Sequence, residues 1–271
     1  MRKKNRVRQL MAVATAAVAT ASGVSVMVAS PASAAECEAS ASQNSTGWNL
    51  ATCDIPDIDQ LRDALPRQGV DYCAPVAAAN ALFWLDKHGY PNLIEGEPQG
   101  VNTTADRHQT ADAIETIAAY MGTNPNGGTN VDIMPFALET YFQSRGYGSL
   151  SAEYTSLAND VQPGRTLSNL LAGSNGQQNM AIAILTKWKD GVKVGGHVVA
   201  LTGTKGLTNG SSNVTFHDPE SDDLINQQSP VDPRTHALGP LRVNAGPLLI
   251  GMKGFRDTGD TVHLQGVIVI K

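Results

Sequence analysis

The sequence predicts an α+β fold in which a helical first half packs on an antiparallel sheet built from the second half. Three observations carry that prediction. From residue 73 to residue 145 apolar side chains recur at helical spacing, and from Met180 onward they fall in short β-branched runs. The two regimes follow one another instead of alternating, which argues against βαβ units and for helices laid against an antiparallel sheet.

The elements can be justified in chain order. Arg2, Lys3, Lys4, Arg6 and Arg8 precede an alanine-rich apolar run, Leu10–Ala29, and then the small residues Pro31-Ala32-Ser33-Ala34. That is the pattern of an export signal over residues 1–34, of bacterial appearance, and the mature chain is expected to begin near Ala35. Residues 35–60 are rich in Ser, Asn and Thr with little apolar periodicity and read as an extended or irregular arm carrying Cys37 and Cys53. Residues 61–271 make one domain. Ile58, Leu61 and Leu65 suggest a short amphipathic turn stopped by Pro66. From Cys73 to about Gly89 an alanine-rich helix follows, with Pro75 in its first turn, where a missing N–H costs nothing. Residues 90–102 read as a loop. Thr104–Met121 and Val131–Arg145 are two further helices, the second expected to bury Ile133, Phe136, Ala137, Tyr141 and Phe142 and to end at Gly146. A short strand at Ala152–Thr155 and a short helix at Leu167–Leu171 lead to strands at Met180–Trp188, Val194–Thr202, Val214–Asp218, Pro247–Lys253 and Val262–Ile270.

Composition excludes several classes of function. Loss of the five basic leader residues takes the formal net charge from −5 to −10, so no nucleic-acid partner is expected. No segment beyond the leader is apolar enough to span a bilayer, so no membrane association is expected after its removal. Neither His-Glu-x-x-His nor paired Cys-x-x-Cys occurs, and the acidic stretch Asp218–Asp223 lacks the spacing of a calcium loop, so no metal and no cofactor is predicted.

The chemistry centres on Cys73. A cysteine at a helix N-terminus lies where unpaired N–H groups and the positive end of the helix dipole favour the nucleophilic thiolate. The chemically silent alternative is a buried core cysteine that happens to begin a helix. A cysteine hydrolase also needs a base, a group that orients the base, and donors for an oxyanion. Of the six histidines, His197 opens a strand after Gly195-Gly196 and is the candidate base, with His263 in reserve. His217 and Asp218 are adjacent, so only one of them faces the site, and Asp218, just before Pro219, is the candidate orienter. His88, His108 and His236 read as surface or loop residues. Gln68 is the candidate side-chain donor to the oxyanion, with the Cys73 backbone N–H as the second.

Gln68, Cys73-Ala74-Pro75, Gly195-Gly-His197-Val-Val-Ala-Leu-Thr-Gly203 and Val214-Thr-Phe-His-Asp218-Pro219, in that order, resemble the papain-like cysteine peptidases. Within them the likeness is to the bacterial branch related to bacteriocin leader-processing peptidases, over residues 61–271. Ala74 stands where that branch usually has glycine, and Gln68 is one residue closer to the cysteine than in papain. The resemblance implies a papain-like fold and a peptidase that works through a thioester, with Cys73 as nucleophile, His197 as base, Asp218 as orienter and Gln68 as oxyanion donor. The expected protein is thus a secreted, extracellular, monomeric cysteine peptidase acting on a peptide or protein. An amide hydrolase or acyl transferase on the same triad, such as a cell-wall amidase or a transglutaminase-like enzyme, is the alternative within the class. An inactive secreted binding module of the same fold is the alternative outside it.

The chain has three cysteines, and in an oxidising compartment an odd number leaves one thiol unpaired. A Cys37–Cys53 bridge would leave Cys73 as that thiol. It would close a short loop in an arm with few apolar anchors, stabilising it by about 3 kcal/mol in the chain-entropy treatment.

Overall fold

The computed structural model describes residues 40–60, 64–96, 104–173, 178–190, 192–207, 212–220, 234–242, 248–252 and 261–271. All lie in the compact unit Cys37–Lys271. The expected leader and Cys37 fall outside the described residues, as do Leu61 and most of the acidic stretch after Asp218.

The architecture is mixed α+β. Four helices, α1 (Cys73–Lys87), α2 (Thr104–Tyr120), α3 (Met134–Ser144) and α4 (Pro163–Ala172), accompany an antiparallel sheet among the described residues. Its strands are β1 (Ser40–Gln43), β2 (Gly47–Ala51), β3 (Ala152–Ser156), β4 (Met180–Lys189), β5 (Val192–Leu207), β6 (Ser212–His217), β7 (Arg234–Arg242), β8 (Leu248–Met252) and β9 (Thr261–Ile270). They run in the order β1-β2-β5-β4-β9-β8-β7-β6, β3 adds to β9, and β6 also pairs with β5.

Alternation along β4 explains how one sheet serves two cores. Met180, Ile182 and Ile184 join the cluster formed with α1, α2 and α3, whereas Ala181, Ala183 and Leu185 join a second cluster with Leu167 and Leu171 of α4. With both faces covered, the strand reads as a continuous apolar run. Helix α1 lies deep in the first core: eleven of its fifteen residues are buried, among them Val76, Ala77, Ala78 and Leu82. Alanine favours the helix and lets neighbouring elements approach closely.

Several sequence expectations need correction. The arm is not irregular throughout, because β1 and β2 extend the sheet beyond β5. Trp48 and Leu50 alternate inward over five residues, and the Trp48 indole donates to Thr204 Oγ1 at 3.2 Å. Pro66 begins a 3₁₀ turn, Pro66–Gly69, where the sequence suggested a stop. In α3 the buried stripe is Met134, Ala137, Leu138, Tyr141 and Phe142, a regular i, i+3, i+4, i+7, i+8 series. Ile133 and Phe136 lie off that stripe and are 44% and 75% exposed. β7 was not anticipated, since Gly239 and Pro240 interrupt its pattern.

Candidate functional site

The approach to Cys73 is an unusual piece of backbone. Arg67, Gln68, Gly69 and Asp71 all have positive φ, at 51°, 58°, 77° and 71°. For each non-glycine residue this conformation costs about 1–2 kcal/mol, so the surroundings must hold it. At Gly69 the reason for glycine is twofold: besides the positive φ, an added Cβ would lie 1.5 Å from the Gln60 carbonyl oxygen. The turn closes with Val70 N–H donating to Arg67 O and Tyr72 N–H to Gly69 O. Helix α1 then starts at Cys73, its first backbone bond running from Val76 N–H to Tyr72 O at 3.1 Å. Tyr72 at the N-cap provides no side-chain cap, which leaves the first-turn amides facing outward as donors. Cys73 is a free thiol, partly exposed.

Two strands bring the other groups. In β5 the residues up to Gly196 are largely exposed, and His197 begins the buried stretch. Pairing of β6 with β5, Ala200 opposite His217, sets the end of β6 beside the start of that stretch. Asp218 is the first residue past β6, and Pro219, with no N–H to continue a ladder, ends the strand. His197 Nε2 and Asp218 Oδ1 are 2.6 Å apart, with side chains only 3% and 2% exposed. The same carboxylate oxygen accepts the Glu220 N–H at 3.0 Å, which fixes its direction.

His197 is also hydrogen-bonded to Cys73, and with Nε2 on Asp218 the ring nitrogen left for the thiol is Nδ1. Burial opposes a charged imidazole here. The hydrogen bonds to Asp218 and Cys73 and the charges of both outweigh it, and His197 is pushed up to about 9.

Thus Cys73, His197 and Asp218 come together from α1, β5 and the end of β6. Gln68 lies in the turn before Cys73 with its side chain exposed and making no hydrogen bond among the described residues, and its N–H donates to Leu65 O at 2.9 Å. His217 is buried on the other side of β6, its Nδ1 donating to Pro56 O at 3.0 Å and lying 3.7 Å from Asp57 Oδ1; burial lowers its pKa. His263 is fully buried in β9 and stacked on Trp188, neither ring nitrogen is bonded among the described residues, and burial lowers its pKa too. His88 and His108 are exposed, and His236 is in β7 opposite Val214.

Sequence reasoning missed Gln60. Its backbone lies against Gly69, its N–H donates to Pro219 O at 2.7 Å, and it is 6% exposed. No local pattern marks it. Among the described residues no group of three or more His, Cys, Asp and Glu is placed to hold a metal ion.

A thiol hydrogen-bonded to an imidazole that a carboxylate orients can form a thiolate–imidazolium pair. Such a pair can attack a carbonyl carbon and return the proton to the departing group, and an unpaired N–H at a helix start can donate to an oxyanion. No protein-family model matches the chain, and no curated protein matches it.

Proposed function

We propose that the protein is an exported cysteine hydrolase that cleaves peptide bonds through a Cys73–His197–Asp218 triad and a thioester intermediate. The observation that carries the reading is the meeting of these three side chains from elements far apart in sequence, with the thiol at an uncapped helix N-terminus. In the first step the Cys73 thiolate adds to the peptide carbonyl, and the oxyanion is met by the Cys73 N–H. Collapse expels the amine, which takes a proton from the His197 imidazolium. Water, deprotonated by the now neutral His197, then hydrolyses the thioester and restores the thiol. Asp218 holds the ring through Nε2, so that Nδ1 serves the sulfur throughout. The order of the motifs, similar to that of papain-like peptidases, and the leader pattern of residues 1–34 support the same reading. Gln68, exposed in the turn before Cys73, is the candidate side-chain donor to the same oxyanion.

Turnover of a diverse peptide library is the test. Cys73→Ala and His197→Ala should each abolish cleavage, while His263→Ala, outside the triad, should retain most of it. Near-normal turnover by Cys73→Ala would overturn the mechanism.

A further inference from the structure

The turn before Cys73 combines four left-handed residues with two separate anchors, and the anchors share a logic. Behind the turn runs the segment Pro56–Gln60. Pro56 O accepts from His217 Nδ1, Ile58 N–H donates to Asn80 Oδ1 of α1 at 2.9 Å, and Gln60 N–H donates to Pro219 O at 2.7 Å. At its end Gln60 presses its carbonyl against Gly69. One short segment therefore touches both neighbours of the orienter, the nucleophile's helix and the nucleophile's turn. On the other side Arg67 Nη1 donates to Pro125 O at 2.6 Å and lies 3.6 Å from Asp71 Oδ2. Pro125 belongs to a self-bonded loop in which Asn124 N–H donates to Gly128 O and Gly128 N–H to Asn124 O.

We infer that residues 56–60 and the Arg67–Pro125 tie are two braces that hold the nucleophile turn in its left-handed path and so set Cys73 against His197. This rests on the triad reading above and assigns Gly69, Gln60 and Arg67 as positioning residues, none of which touches substrate. The seating of Gln60 fits the role. Its side-chain oxygen is enclosed without a partner among the described residues, an arrangement that does not favour stability, whereas its backbone is bonded at the point where the orienter's strand ends. Relaxation of the turn toward ordinary backbone would shift Cys73 relative to His197. Small displacements of a reacting group lower rates steeply.

The test compares Gly69→Ala with Gly89→Ala in the full chain. Both glycines have positive φ, but a Cβ at Gly89 meets nothing within 4 Å, so that variant controls for backbone strain alone. Two readouts are taken: peptide turnover, and the rate of Cys73 alkylation by iodoacetamide at pH 5.5. Gly69→Ala should lower kcat and alkylation by about tenfold with KM nearly unchanged, while Gly89→Ala leaves both near wild type. Arg67→Ala, at an exposed position that does not threaten folding, should lower both by roughly threefold, and it decides the matter should Gly69→Ala fail to fold. A folded Gly69→Ala that matches Gly89→Ala, or an Arg67→Ala that matches wild type, overturns the braces alone. A wild-type Cys73 that alkylates no faster than a simple thiol at that pH overturns the triad reading and the braces with it.

Discussion

Replacing Asp218 by Asn should change the proton affinity of His197 more than it changes the geometry around it. The amide keeps an oxygen for Nε2 but loses the charge. In the wild type His197 rises from its usual 6.5 to about 9 against the opposing effect of burial. At about 1.4 kcal/mol per pH unit this corresponds to about 3 kcal/mol. Asp218 and Cys73 share the favourable side of that balance, with the Asp218 hydrogen bond its largest contribution, so weakening that bond by removing the carboxylate charge should lower the His197 pKa. The sign follows from linkage: a group whose pKa is raised by folding contributes stability in full below its unfolded value. That contribution is lost as pH rises through the folded value. Urea unfolding should therefore show wild type losing about 3 kcal/mol from this source between pH 6 and pH 10, and Asp218→Asn losing less over the same range. The imidazole resonances of His197, followed by NMR, should titrate near pH 9 in wild type and well below that in the variant. An Asp218→Asn protein whose His197 titrates as wild type does would refute the assignment of Asp218 as the charge that orients and protonates the base.

His263→Phe should remove a buried ring without hydrogen-bond partners while keeping the stack on Trp188. Since burial depresses the His263 pKa, the wild type loses stability as pH falls below 6.5, so the variant's gain in urea midpoint should be larger at pH 5 than at pH 8. Equal gains at both pH values would show that protonation plays no part. Turnover should stay near wild type, since His263 is outside the triad. The expected Cys37–Cys53 bridge predicts that alkylation of the unreduced mature protein labels Cys73 alone. Mass analysis should find Cys53 linked to Cys37, and label on all three cysteines would contradict the pairing.

The candidate triad was legible because each member marks a boundary with its own local chemistry. Cys73 begins an alanine-rich helix with proline in its first turn, His197 follows two glycines at the start of a buried run, and Asp218 precedes a strand-ending proline. The helices and most strands were legible for a similar reason, as the periodicities of α3 and β4 are long enough to be read locally. Long-range pairing carries no such mark. Nothing near Trp48 announces that β2 lies beside β5, and the placement of Ala200 opposite His217, on which the meeting of His197 and Asp218 depends, is a property of the whole sheet. Gln60 was missed for the same reason. It is separated from Pro219 by most of the chain, and only the fold makes them neighbours. The boundary of α3's buried stripe was misread by one position, because Ile133 and Phe136 are apolar and flank a stripe that excludes them.

The central claim is covalent, and trapping the acyl-enzyme tests it most directly. The protein would be mixed with a cleaved library peptide carrying an activated ester at its scissile carbonyl, quenched in acid within the first turnover, and digested for mass analysis. The account predicts the acyl mass on the peptide containing Cys73, removable by hydroxylamine as a thioester should be, and absent from Cys73→Ala. Turnover at the wild-type rate with no acyl group on Cys73 at any time point would contradict it.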